Sequence, residues 1–142
     1  MQRTLLAGLF ALAVMSAATA QSVPSDVEAT AKKVLGRIDV TIAAVFTANR
    51  STLDQTCGEK DKFFHISSGI SRLEFAAMNV SEREQYIQLL QGQVRSNALM
   101  HEAMSERERK LFCDGVRDAI EKYSVNFMDR YPQLFEKRGN DR

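Results

Sequence analysis

Between Pro24 and Pro132 the chain contains no proline. Proline breaks a helix interior, because its ring fixes φ and it has no amide proton to donate. So long a stretch without one leaves room for long helices, and the spacing of apolar residues says whether they form. Helix signals recur along it, and the alternation expected of strands does not.

Val27, Ala31, Val34, Ile38, Ile42 and Val45 follow one another at intervals of three and four. That is the apolar stripe of one amphipathic helix, from about Asp26 to Asn49, with Ser25 and Glu28 as a capping box. Gly36, Arg37 and Asp39 fall off the stripe. Ser51 to Asp54 reads as a second start, opening a short helix that ends at Cys57-Gly58 with Gly58 as its left-handed stop. A third helix is expected from about Lys60 to Met78, with Phe63, Ile66, Ile70, Leu73 and Ala77 inward. The fourth runs from about Glu82 to Met104, with Ile87, Leu90, Val94 and Ala98 inward. The fifth runs from about Glu106 to Arg130, with Phe112, Val116, Ala119, Tyr123 and Phe127 inward, and Pro132 ends it. The last two open on the same tetrapeptide, Ser-Glu-Arg-Glu, at Ser81 and Ser105. Each serine is an expected N-cap, boxed by Glu84 and Glu108. The fold class is therefore all-α: an up-and-down bundle of four long helices plus one short helix. Short loops make consecutive helices the expected neighbours.

Met1 to Ala20 has the three parts of a cleavable signal peptide: Arg3, an uncharged apolar run, and Ala18-Thr19-Ala20 as a small-residue cleavage site. That run is shorter than the ~20 residues of a membrane-spanning helix. Residues 21–142 form a single expected domain, ordered over about 25–131, with no stable membrane span once the signal is cleaved. The expected compartment is a bacterial periplasm, with secretion from the cell as the alternative. The sequence has 19 Lys+Arg and 18 Asp+Glu, so loss of Arg3 leaves a balanced charge. Nucleic-acid binders carry excess positive charge, and none is expected as a partner.

The exported part has two cysteines, Cys57 and Cys113. An oxidising compartment favours a disulfide between them. Closing a loop of that length stabilises the fold by about 4 kcal/mol in the chain-entropy treatment. The spacing is unlike C-x-x-C, and no histidine is adjacent in sequence, so no metal site is expected. His101 extends the inward line of Val94 and Ala98, with Met100 and Met104 close by. It is the one candidate ligand, for a haem held between helices. His101-Glu102 begins an H-E-x-x-H motif, but Ser105 stands where the second histidine would be.

The third helix carries a second line besides its inward stripe: Phe64, Ser68, Ser71, Phe75 and Met78. It lies roughly 140° from the first at 100° per residue. A helix apolar on two sides is either central or offers one side to a partner or ligand. No catalytic motif, phosphate loop or nucleophile elbow appears, so no catalytic residue and no cofactor are expected. The expected function is non-catalytic binding of another protein, or of a second copy as a homodimer, as in an inhibitor or immunity-type protein, an assembly factor or a small chaperone. The alternative is a carrier of an apolar small molecule or haem.

Overall fold

A computed structural model describes residues 25–136, which form six helices joined by short connections. They are α1 (Ser25–Leu35), α2 (Val40–Gln55), α3 (Phe64–Ala77), α4 (Val80–Ala103), α5 (Glu106–Arg130) and α6 (Gln133–Glu136). The protein is an all-α helical bundle, and a Cys57–Cys113 disulfide joins the end of α2 to α5. The expected signal peptide, Met1 to Ala20, lies outside the described residues. No helix among those described is long and apolar enough to cross a membrane.

The expected first helix is two. Gly36 takes φ +63° and its amide donates to Lys32 O at 3.1 Å, which stops α1. Three residues on, the Asp39 carboxylate accepts from the Ile42 amide at 3.1 Å and caps α2. Glycine after a helix and aspartate before one are the residues that satisfy orphan carbonyls and amides there. The break resets the helical register. Ile42 and Val45, expected inward, are exposed, and Ala43, Ala44, Phe46 and Ala48 are buried instead. Helix α2 then runs on through Ser51–Asp54 to Gln55, so there is no separate short helix at this point. Gly58 has φ +66°, the left-handed stop that the sequence predicts.

Helix α3 starts at Phe64, four residues later than expected. The preceding Asp61 is buried, and its carboxylate accepts from the Phe63 amide at 3.1 Å and from Ser67 Oγ at 3.2 Å. This side-chain turn competes with helix for the backbone.

The two following corners share one construction. Helix α4 is capped by Asn79, not Ser81: the Glu82 amide donates to Asn79 Oδ1 at 2.8 Å, and the Asn79 amide donates to Glu82 Oε1 at 3.0 Å. Arg83 then reaches back, donating to Phe75 O and Ala76 O at 3.1 Å each. Helix α5 is capped by Ser105, as expected, through the Glu108 amide at 3.3 Å. Arg109 reaches back in the same way, donating to His101 O at 2.9 Å and Glu102 O at 3.0 Å. The repeated unit is therefore Met-(Asn or Ser)-x-x-Glu-Arg, from Met78 and from Met104. It sits in a different register from the repeated Ser-Glu-Arg-Glu. Asn79 wins over Ser81 because its register also brings Arg83 onto the last carbonyls of α3.

Helix α2 is the hub. It packs on α4 and α5, while α1 lies against α3, so the most extensive pairings join helices two or three apart in the chain. One side of α2 gives Phe46 and Leu53 to a core with Ile70, Ile120 and Phe127. The other gives Ala43 and Ala44, whose small size lets Phe75, Met78 and Tyr86 close in. On α5, Ile120 is buried where Ala119 was expected, and Ala119 is exposed. On α4 the buried side chains are Tyr86 and Asn97, and the Asn97 amide donates to Thr52 Oγ1 of α2 at 3.1 Å.

Candidate functional site

The second line of α3 is mostly interior. Phe75 and Met78 are buried against Ala43, Ala44 and Tyr86, and Ser71 is buried too; Phe64 and Ser68 are half-buried. Of its two serines, Ser71 faces α2, where Arg50 lies between it and Ser67, whereas Ser68 accepts from Arg72 of its own helix at 3.4 Å. The Arg50 guanidinium donates to Ser67 Oγ at 3.1 Å and Ser71 Oγ at 3.0 Å, and it lies over the Phe64 ring. Thr47 joins Ser71 at 2.9 Å and accepts from Tyr86 OH at 2.7 Å. Burial lowers the pKa of Arg50 and pushes that of Tyr86 up to about 12. The network ties α2, α3 and α4 together, and nearly all of its polar groups are satisfied within the protein.

Among the described residues, one buried side-chain group is not satisfied. Glu74 of α3 is 5% exposed; Tyr123 OH of α5 donates to its Oε2 at 2.6 Å, and its Oε1 has no partner. Tyr123 is fixed from behind by stacking on Phe46, ring centroids 4.3 Å apart. Desolvation raises the Glu74 pKa to about 7, against the smaller lowering effect of the Tyr123 hydrogen bond. The carboxyl therefore changes charge near neutral pH. Burial and the neighbouring carboxylate push the Tyr123 phenol upward, so it stays a donor.

Glu74 and Tyr123 line a cleft of about 310 Å³. Its apolar walls are Leu35, Ile38 and Ile42 from the α1–α2 junction and Phe127 and Tyr131 from the end of α5, and Arg37, Asp39 and Arg130 add charge. The Gly36 break creates this junction, because a continuous helix would have no corner there. An unpaired buried oxygen costs roughly 1–3 kcal/mol. Buried polar atoms without partners are uncommon, and one that lines a cleft is a place for a ligand's donor. Sequence reasoning placed Tyr123 inward but missed Glu74, whose signal was an acid flanked by Leu73 and Phe75 in the most apolar stretch of α3.

The third location is the disulfide. Cys57 and Cys113 are joined as expected, with Cα atoms 5.9 Å apart. His101 lies beside them in space, although no histidine is adjacent to either cysteine in sequence. A nitrogen of its ring is within 4.8 Å of both sulfurs, and the ring packs on Phe112 at 6.0 Å. His101 and Cys57 are half-buried and Cys113 is buried. The site residues thus fall into three separate places: the Arg50 network under α3, the Glu74 cleft, and the cysteine–histidine cluster. No family model, curated protein or solved structure matches this chain, so these three places stand on their own geometry.

Proposed function

We propose that this is a non-catalytic binding protein of the bacterial periplasm that docks on a partner polypeptide by receiving a lysine side chain in the Glu74 cleft. The observation that carries this reading is Glu74, whose side chain lines an open cleft and whose buried Oε1 has no partner among the described residues. The volume is at the small end of the range for ligand pockets, which suits one side chain and not a haem. The apolar walls match a methylene stem, and the carboxylate matches an ammonium. Ile42, 52% exposed at the rim, and Val45 one turn on give the partner's backbone an apolar surface. The disulfide supports an oxidising compartment.

n-Butylamine is the probe for this reading. Isothermal titration should show binding that strengthens as pH rises through about 7, where Glu74 becomes charged. Glu74→Gln should weaken it by about tenfold, the loss of a charge-assisted hydrogen bond. Equal binding by the wild type and Glu74→Gln sinks the proposal. Uptake of an apolar dye by both proteins alike would favour the carrier reading instead.

A further inference from the structure

We propose that the reduced protein binds a thiophilic metal ion, Zn²⁺ as the reference case, through Cys57 Sγ, Cys113 Sγ and a ring nitrogen of His101. The disulfide and this metal site are alternative states of one cluster.

Three donor atoms from three separate elements meet here. Cys57 comes from the turn after α2, His101 from the last turn of α4 and Cys113 from the early turns of α5. They lie within 4.8 Å of one another. Zinc holds sulfur at about 2.3 Å and imidazole nitrogen at about 2.0 Å, so its ligand atoms stand roughly 3.3–3.8 Å apart. The histidine needs to close by about 1 Å and the freed sulfurs to part by less than about 2 Å, both within the reach of side-chain rotation. The backbone positions do not depend on the sulfur–sulfur bond alone. The Cys57 amide donates to Thr52 O at 3.0 Å. The His101 carbonyl is held by the Met104 amide at 3.2 Å and by Arg109. Two sulfurs and one nitrogen select a soft or borderline ion over magnesium or calcium. Cys57 and His101 are half-buried, which gives an ion its way in and leaves a fourth position for water.

The electrons balance with a dithiol as reductant. Two electrons pass to the disulfide, the bond between Cys57 and Cys113 breaks, and each sulfur takes a proton while the dithiol closes to its own disulfide. Metal binding then releases both thiol protons. Reoxidation requires an acceptor such as oxidised glutathione to take two electrons from the same sulfurs, which bound metal withholds from attack.

The protein is reduced with dithiothreitol, freed of reductant without air, and titrated with Co²⁺ and then Zn²⁺. The expected result is one bound Co²⁺ with a thiolate-to-cobalt charge-transfer band that Zn²⁺ abolishes, and no such band in the oxidised protein. Zn²⁺ should slow reoxidation by oxidised glutathione by about tenfold or more. His101→Gln should lower zinc affinity at least tenfold, and His101→Cys should restore it. The proposal is overturned if the band is absent, if His101→Gln binds as the wild type does, or if the reduced chain is unfolded by circular dichroism and stays so with Zn²⁺.

Discussion

The corner between α3 and α4 and the corner between α4 and α5 use the same hydrogen bonds to different ends. Each has a capping side chain and an arginine that reaches back to two carbonyls of the preceding helix. At the first corner Met78 is buried, and Arg83 also lies over Phe75 at 4.9 Å and pairs with Glu28 of α1 at 3.6 Å. At the second, Met104 is half-buried and Arg109 is exposed. The second corner borrows its anchorage from a covalent bond nearby. Local chemistry sets the turn, and what packs on it decides whether the turn belongs to the core.

The largest effect should come from removing that bond. Reduction should lower the free energy of unfolding by about 4 kcal/mol. Amide exchange should rise first around the second corner and last around the first. Equal exchange at both would break the comparison.

Glu74 lies one residue before Phe75, so the first corner is tied to a buried carboxyl that desolvation holds well above its ordinary pKa. Its folded pKa of about 7 is above the ordinary 4.5. A carboxyl raised in the fold stabilises it fully below about pH 4.5, and that stability is lost as pH rises to about 7. The loss is of order 3 kcal/mol. Melting temperature should fall over this window in the wild type, and Glu74→Gln should remove the slope and be the more stable protein at pH 8.

The smallest and most direct comparison is between the arginines. Arg83→Ala should cost about 2 kcal/mol, because its carbonyl partners and the Phe75 ring are interior. Arg109→Ala, in water, should cost under about 1 kcal/mol. Chemical denaturation of the two variants reads the difference, and equal losses would mean that the shared hydrogen bonds outweigh their surroundings.

Much of the fold was legible. The limits of α5, the left-handed Gly58 and the helical class follow from short-range chemistry in the sequence, and the cysteine pairing follows from there being two cysteines in a chain read as exported. The break at Gly36 was written there too, as a glycine three residues before an aspartate. It was hidden because apolar spacing ran across it by coincidence. The cap read at Ser81 stands two residues earlier, at Asn79, in the register that lets Arg83 meet carbonyls of another helix. The sites were less legible for the same reason. That His101 reaches the sulfurs depends on how α4 and α5 sit against α2, and the importance of Glu74 depends on which face of α3 is covered. Neither angle is encoded in the residues next to it.

The Cys57–Cys113 bond encloses α3, α4 and both corners in one covalent loop. A pull on the two ends of the chain passes across the sulfurs and goes round that loop, leaving its helices unloaded. The helices outside it, α1, α2 and the rest of α5, bear the tension and peel away first. The cleft straddles this boundary: Glu74 sits inside the loop, and Ile38, Ile42 and Phe127 sit outside. Mechanical stress would thus strip the walls from the cleft while its carboxylate stays on an intact helix, and on release the walls would have a fixed template to return to.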